Sequence, residues 1–465
     1  MDAVVPTSAV AQEASETEKS AFERLASEAV RRAGIRHDAL IVHADRVIVQ
    51  ANSCVIPVTT HDKVITTKDQ RGVDVPRKTP LLLGSRHLIV KHVDLNATRV
   101  PFRDETHRAR TRASFACECA VYRERSRAPG ARGGDGGSWA TPFAYLVEGD
   151  AEADAFTVVM DDAARPRPGA QQKRRENAAS AAKKARAADA SGQSTREIGS
   201  KPATTNESPL AETSDPVVTA TAATAAAAAS ERSETLPGTF DFSRARAAVE
   251  WLASFHAHWW RGLPDSPPIP KDLWPRGGYW TLEKRHADLP GMDAAWRGLL
   301  RAFDAEDETK TLASALRERC GEDFGERLRR AGPALSRAAL RAEWGTPNQE
   351  NGGATLVHGD FKAANIVFRR DADTNASEPN RRVARAAPTV IDWQWTGPGG
   401  AAHDLAYFLA TSLNLDALER VDDLVAAYLA RLSNDLRARG DAGRAAAAEY
   451  DAARLRRDLA VHHAD

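Results

Sequence analysis

A short polar loop in the C-terminal half of the chain carries the side chains best suited to chemistry. It lies within LVHGDFKAANIVF, residues 356–368, where two apolar runs flank His358, Asp360, Lys362 and Asn365. Short β-branched and aromatic runs on both sides of such a loop predict two strand ends joined by a tight connection. The sequence therefore predicts that one loop presents these polar side chains together.

The spacing in this loop suits phosphoryl transfer. That reaction needs a base for the acceptor hydroxyl, oxygen ligands for magnesium and cations against the phosphates. Asp360 and Asn365 have the spacing that aims a carboxylate at the hydroxyl and an amide oxygen at a metal, and Lys362 can face the transferring phosphate. A later strand, TVI, delivers Asp392 in IDWQW. Mg²⁺ prefers oxygen ligands such as those of Asn365 and Asp392. Taken alone, each feature is weak, because an aspartate at a strand end is more often a turn former or a helix cap.

The N-terminal half contains a candidate for the lysine that binds the α and β phosphates. Lys91 lies inside the β-type run HLIVKHV, and a helix that carries Glu118 follows it. An ion pair between Lys91 and Glu118 would set the direction of the lysine, as a nucleotide site requires. The alternatives are an outward-facing strand lysine and an ordinary acid on the helix surface.

Two segments, HGDFKAANIVF and VIDWQWTGPGGAAHDLAYFL, resemble the aminoglycoside phosphotransferase and choline kinase superfamily. The likeness is greatest to its ecdysteroid kinase-like (CHK kinase-like) branch. EWLASFHAHWW, residues 250–260, is similar to the helix that opens the larger lobe in that branch. The resemblance runs in patches from about residue 45 onward and excludes residues 164–236.

The resemblance implies an α+β, bilobal, protein-kinase-like fold, with a small antiparallel-sheet N-lobe, a larger helical C-lobe, and ATP and Mg²⁺ as cofactors. It implies that Asp360 is the catalytic base and that Asn365 and Asp392 are the magnesium ligands. It also implies that Asp404 is a buried acid that braces the loop through backbone amides. For His358 a structural role is expected.

The resemblance extends to the nucleotide contacts of the smaller lobe. FTVVMDDA resembles the hinge strand, so backbone groups of Met160, Asp161 and Asp162 are expected to meet adenine. No Gly-x-Gly-x-x-Gly motif precedes Lys91, and the turn Ala51-Asn52-Ser53 is the expected substitute. Asn52 and Ser53 tolerate turn geometry and offer hydrogen bonds to phosphate.

Composition and periodicity divide the chain into four segments. These are an N-terminal helical segment at 1–35, a nucleotide-binding N-lobe at 36–163, an insertion at 164–236 and a helical C-lobe at 237–465. The insertion has almost no large apolar side chain, so we predict that it is disordered. A nuclear-import or RNA-contacting patch is the alternative for its basic part. Periodicity also predicts helices at 15–33 and 114–125, and strands at 46–50, 54–58, 87–93, 143–149 and 156–160.

The overall composition excludes several classes of partner. Lys plus Arg and Asp plus Glu are both 64, so no global field attracts nucleic acid or an anionic membrane. No apolar run approaches the roughly 20 residues that span a bilayer, and the start lacks the features of a signal peptide. The four cysteines are too few and too scattered for a disulfide framework. We expect a cytoplasmic protein with reduced thiols, and its oligomeric state stays open.

The acceptor is predicted to be a small-molecule alcohol. Only a short stretch separates Asp392 from Asp404, whereas a protein kinase uses a much longer segment there as a peptide platform. Tryptophans could wall an apolar or cation-binding pocket, so a choline or ethanolamine kinase is one alternative. A catalytically impaired pseudokinase or binding scaffold is the other, because the glycine-rich loop is missing.

Overall fold

The computed structural model describes residues 16–37, 39–49, 53–64, 66–68, 74–76, 82–97, 101–127, 141–149, 152–163, 239–279, 281–307, 309–344, 353–368 and 388–463. The predicted insertion at 164–236 and residue Asn52 lie outside the described residues. In the part of the chain that is described, no helix combines the length and the apolar character needed to cross a bilayer.

Eight strands form the sheets of the N-terminal half. In chain order they are β1 (Ala39–Val42), β2 (Ile48–Val49), β3 (Ser53–Val64), β4 (Thr66–Lys68), β5 (Asp74–Pro76), β6 (Leu82–Asp94), β7 (Ala144–Glu148) and β8 (Ala155–Asp161). The main sheet is antiparallel with the order β1-β3-β6-β8-β7, and β2 also pairs with β3. Within the described residues, strands β4 and β5 form a separate two-stranded pair. The strand predicted at 46–50 is shorter than expected, because a 3-10 turn at Ala44–Arg46 precedes it.

Alternation along the strands gives the main sheet two packed faces. Leu88 and Val90 of β6 share one apolar cluster with Ala29 and Val30 of helix α1 (Glu16–Arg32), which lies close to the predicted 15–33. Lys91 has the opposite parity in β6, and its side chain contacts helix α2 (Glu105–Arg127). A lysine within an apolar run therefore points to a helix and not outward to solvent.

Helix α2 is longer than the sequence predicts. It begins at Glu105, not Ser114, and the side chain of Asp104 accepts a hydrogen bond from the His107 N–H at 2.7 Å. The first turns, ETHRARTRA, carry almost no apolar side chains, so hydrophobic periodicity cannot detect them. The side-chain cap at Asp104 satisfies a helix-terminal N–H that would otherwise lack a partner.

The C-terminal half is mainly helical. Its helices are α3 (Phe242–His258), α4 (Met292–Ala305), α5 (Lys310–Cys320), α6 (Phe324–Trp344), α7 (Ala401–Thr411), α8 (Leu415–Leu418), α9 (Val421–Arg437), α10 (Gly440–Glu449) and α11 (Ala452–His462). Two short antiparallel pairs join β9 (Ala354–Val357) to β12 (Gly397–Gly400), and β10 (Ile366–Val367) to β11 (Thr389–Val390). The predicted α+β architecture, a sheet-rich N-lobe followed by a helical C-lobe, is confirmed.

Aromatic side chains of the helical half pack against the polar loop. Trp251 of α3 stacks on Phe361 with ring centroids 5.8 Å apart, and Phe255 of the same helix contacts Trp393 at 5.4 Å. Phe361 lies in the loop between β9 and β10, and Trp393 follows β11. One helix therefore positions both segments that carry the predicted metal ligands.

Candidate active site

The loop after β9 can turn as it does because residue 359 is glycine. Gly359 has φ +84°, a conformation that favours glycine, and a Cβ there would lie 2.2 Å from the carbonyl oxygen of Trp395. The Tyr279 N–H donates to the Gly359 carbonyl at 2.7 Å. The close approach to the Trp395 carbonyl means that the loop backbone lies directly against the turn that follows Asp392.

Asp404 anchors the same loop from helix α7. Its side chain is fully buried, and its carboxylate accepts the N–H groups of His358 at 2.7 Å and Gly359 at 2.8 Å. Burial acts to raise the pKa of Asp404, but the hydrogen bond from His256 and the neighbouring histidines lower it below its usual value. A neutral His256 ring satisfies both its contacts by donating to Asp404 at 3.3 Å and accepting from the Tyr428 hydroxyl at 2.7 Å.

His358 connects the loop to the strand that precedes Asp392. Its Nε2 donates to the Ile391 carbonyl at 3.0 Å, and its Nδ1 accepts the Asp360 N–H at 3.3 Å. The Ile391 N–H in turn donates to the backbone carbonyl of Asn365 at 3.0 Å. His358 is buried and both ring nitrogens are bonded to backbone, so its contacts match the expected structural role.

The two carboxylate oxygens of Asp360 differ in their hydrogen bonds. Its Oδ2 accepts from the Asn365 side-chain amide at 3.0 Å and from Lys362 Nζ at 2.9 Å. Its Oδ1 is buried and has no hydrogen-bond partner among the described residues. Tyr407 lies beside this carboxylate, and burial, the charge of Asp360 and side-chain hydrogen bonding with it raise the pKa of its phenol. The carboxylate is thus oriented through Oδ2, and Oδ1 is the oxygen that an acceptor hydroxyl could approach.

Lys91 lies between two carboxylates. Its Nζ is 2.6 Å from Glu118 Oε2 and 3.7 Å from Asp392 Oδ1. Burial acts to lower the pKa of Lys91, but Glu118 and Asp392 outweigh it and raise this pKa. The lysine therefore stays charged and is directed toward Asp392. Asp392 itself has φ +65°, which is uncommon for a residue with a side chain and sets the direction of its carboxylate.

The donor groups present fit a magnesium ion. Buried oxygens without a hydrogen-bond partner among the described residues include Asp360 Oδ1 and Asp392 Oδ1. The Asn365 amide nitrogen donates to Asp360, which leaves its amide oxygen as the atom that can bind a cation. Within the described ranges, no group of three His, Cys, Asp or Glu residues could hold a metal. The Asp392 carboxylate and the Asn365 amide oxygen suit Mg²⁺, which commonly takes its other ligands from water and substrate phosphates.

Residues 279–440 match the family model of the ecdysteroid kinase-like family. The resemblance inferred from the sequence is therefore confirmed over this part of the chain. The matched region contains the whole loop, both predicted metal ligands and Asp404. Lys91 and Glu118 lie outside it, so their assignment rests on the geometry.

Solved structures of small-molecule phosphotransferases are similar to the chain at low identity. Macrolide 2′-phosphotransferase MphH from Brachybacterium faecium has a TM-score of 0.29 and 13% identity over 95% of this chain and 97% of that one. A microcompartment-associated aminopropanol kinase has a TM-score of 0.34 and 10% identity over 95% and 94%. ADP-bound aminoglycoside phosphotransferase APH(2″)-Ib has a TM-score of 0.31 and 12% identity over 97% and 98%. No curated protein matches the sequence. Similarities of this size carry no argument about the site.

The predicted phosphate-binding turn is only partly described. Ser53 is buried and is the first residue of β3, where it pairs with Val93 of β6. The last pair of the β2–β3 ladder joins Val49 to Cys54, so Ser53 lies in the connection between these strands, and its contact with phosphate stays a prediction. The short strand β2 and strand β3 do flank residues 50–52, so a connection lies where the sequence predicts one.

The predicted hinge has fewer backbone N–H groups available to adenine than expected. The Asp161 N–H donates to the Phe143 carbonyl at 3.0 Å, and the Asp162 N–H donates to the His87 carbonyl at 3.0 Å. Met160 is buried within β8, opposite Ile89 of β6. Contacts from these two amide hydrogens to adenine are therefore not supported, and contact through backbone carbonyls stays a prediction.

One contact beside the candidate active site had no signal in the sequence. Cys117, next to Glu118 on α2, donates from its thiol to the carbonyls of Trp393 at 3.3 Å and Thr396 at 3.2 Å. Burial raises the pKa of Cys117 to about 12, so the thiol stays protonated. This contact ties α2 to the segment after Asp392, and it joins residues that are far apart in the chain.

Proposed function

We propose that the protein is an ATP-dependent phosphotransferase that acts on the hydroxyl of a small molecule. The observation that carries this proposal is the Asp360 carboxylate, which is oriented through Oδ2 and whose buried Oδ1 has no hydrogen bond from the residues that the structure describes. Such an oxygen can accept the proton of an acceptor hydroxyl as the hydroxyl oxygen bonds to the γ-phosphorus, while the bond from that phosphorus to the β,γ-bridging oxygen breaks and ADP leaves.

The other residues of the site would either stabilise the charge of the phosphates or hold the loop backbone. Lys91, directed by Glu118, would contact the α and β phosphates, and Lys362 would face the transferring phosphoryl group. Asn365 and Asp392 would hold Mg²⁺, which when bound neutralises charge that builds up on the phosphates. Asp404 and His358 hold the loop backbone and do not touch the reacting atoms.

An adjoining cavity favours an acceptor with an apolar body. The cavity has a volume of about 440 Å³, is lined by apolar side chains such as Leu289, Met292 and Leu335, and also by Tyr407. Tyr407 lies beside Asp360, so a hydroxyl at this end of an apolar molecule would reach the proposed base.

The aromatic side chains do not favour a choline-like cation. Trp259, Trp260 and Trp393 are buried in the core. The ring of Trp395 already has Arg110 at 5.3 Å and Lys284 at 5.9 Å from its centroid. A quaternary ammonium group would therefore meet like charge at this ring. We rank an uncharged alcohol above choline or ethanolamine.

Replacing the proposed base tests the function directly. We expect Asp360→Asn to lower kcat by about 10²- to 10⁴-fold, because the amide cannot take up the hydroxyl proton. Turnover of a panel of alcohols, with choline included, would be measured with Mg·ATP, and thermal unfolding would verify the fold. The control is Asp423→Asn, which removes an exposed carboxylate that pairs with Arg420.

Two results would contradict the proposal. The first is near-normal turnover by Asp360→Asn. The second is a wild-type protein whose melting temperature does not respond to Mg·ATP and which hydrolyses none, the outcome expected for a binding scaffold.

A further inference from the structure

A second, strongly basic cavity lies at the N-terminal part of helix α2. It has a volume of about 340 Å³, and its α2 side includes Arg103, His107 and Arg110. The segment that follows Asp392 and the segment before α4 form the other side, with Trp395 and Arg285. Three guanidinium groups from two distant parts of the chain therefore line one cavity.

The positive charge in this cavity is poorly compensated. None of its lining residues is acidic. In the described part of the chain, no carboxylate lies within ion-pair distance of Arg103 or Arg110, while Arg285 has Asp288 at 3.5 Å. The nearby carboxylate of Asp104 caps the start of α2. The positive end of the helix dipole adds to the same field.

Two of the guanidinium groups, on opposite sides of the cavity, lie against aromatic rings. Arg110 lies 5.3 Å from the Trp395 ring centroid, and Arg285 lies 5.8 Å from that of Tyr279. The two rings contact each other edge to face at 5.0 Å. A guanidinium stacked in this way can still present N–H groups at its edge, and a planar guanidinium donates two parallel hydrogen bonds to an oxyanion.

The cavity borders the proposed nucleotide site but is separate from it. Phe115 lines the cavity, and its ring lies 5.4 Å from Lys91 Nζ. None of Lys91, Glu118, Asp360 or Asp392 lines the cavity. An anion bound here would therefore contact the N-terminal part of the helix that carries Glu118, and not the metal ligands.

We propose that this cavity binds a tetrahedral oxyanion of the phosphate class, clamped between Arg103 and Arg110 of α2 and Arg285 of the opposite segment. The oxyanion can be a free ion or a group on an organic ligand, since Tyr279 and Trp395 offer aromatic surface beside it. Arg285 also lines the proposed acceptor cavity, so the two cavities adjoin, but the oxyanion site does not depend on the phosphotransferase function.

Calorimetric titration without nucleotide tests the proposal. Inorganic phosphate and phenyl phosphate would be titrated into the wild-type chain, the double variant Arg103→Gln with Arg110→Gln, and the control Arg301→Gln. Arg301 is exposed on α4, outside the cavity.

We expect the double variant to bind phosphate at least about tenfold more weakly with an unchanged melting temperature, and the control to bind as the wild type does. Tighter binding of phenyl phosphate would assign the oxyanion to an organic ligand, and equal binding would assign it to a free ion.

Competition separates this cavity from the nucleotide site. The same titrations would be repeated with saturating Mg·ADP, and we expect phosphate binding to persist. The proposal is overturned if wild-type protein binds no phosphate, if the double variant binds it equally well, or if Mg·ADP abolishes the binding. Because no turnover is measured, an inactive protein could still support the proposal.

Discussion

Asp360 and Asp404 lie in the same part of the fold but have different surroundings, which suit them to different tasks. Both oxygens of Asp404 are used by backbone N–H groups, so this acid can only hold the loop. Asp360 Oδ1 has no hydrogen bond among the described residues, and a base requires an oxygen that can take up a proton. At the scale of single residues, the hydrogen bonds therefore distinguish an acid that holds the backbone from the acid that is proposed as the base.

Gly359 is the residue at which we expect the loop to be most sensitive. Gly359→Ala should lower the free energy of unfolding by about 3 kcal/mol, because it adds backbone strain and a contact with the Trp395 carbonyl. The control is Gly34→Ala, which has a similar positive φ of +67° and open space around the new Cβ. That control should cost only about 1 kcal/mol. Equal losses in urea denaturation would show that the close approach is unimportant.

Helix α2 and strand β6 form the unit that aims the proposed phosphate-binding lysine. Alternation in β6 turns Lys91 toward α2, and Glu118 meets it from one turn of that helix. Cys117 then joins the same turn to the carbonyls that follow Asp392. At the scale of elements, one helix turn connects the sheet to the segment that carries a proposed metal ligand.

Removing the charge of Glu118 should misdirect this lysine. We expect Glu118→Gln to weaken Mg·ADP binding by about tenfold, because Lys91 would keep only the Asp392 carboxylate, at 3.7 Å. Calorimetry would measure the affinity. The matched control is Glu124→Gln on the same helix, which should bind Mg·ADP normally. An unchanged affinity in Glu118→Gln would remove the ion pair from the nucleotide site.

At the scale of the whole molecule, the N-terminal helix α1 is part of the core. Ala26, Ala29 and Val30 are fully buried against the face of the sheet opposite α2. The main sheet is therefore covered on both faces, and the face behind Lys91 is closed by a segment from the start of the described chain. Stability of the proposed site should depend on a helix that contributes no residue to it.

A core substitution in α1 tests that dependence. Val30→Ala should lower the free energy of unfolding by about 2 kcal/mol, since it removes fully buried methyl groups. Glu23→Ala on the exposed side of the helix should change it by less than about 0.5 kcal/mol. Chemical denaturation of both variants would be compared with the wild type. If Val30→Ala costs no more than Glu23→Ala, α1 is a detachable arm.

Much of this fold could be predicted because its signals are local. The loop of Asp360 and Asn365 is flanked by apolar strand ends, α1 has regular apolar spacing, and Lys91 interrupts a β-type run. Each pattern lies within a few residues of the feature that it predicts. The family resemblance and the two-part architecture therefore followed from the chain alone.

The remaining features depend on residues that meet only after folding. The start of α2 has no apolar period, Ser53 joins a ladder through Val93, and the Asp161 amide is used by Phe143. The basic cavity unites Arg110 with Trp395, which are far apart in sequence. Short-range periodicity determines which segments form helices and strands, whereas long-range packing alone decides which polar atoms are already bonded and which remain open to a ligand.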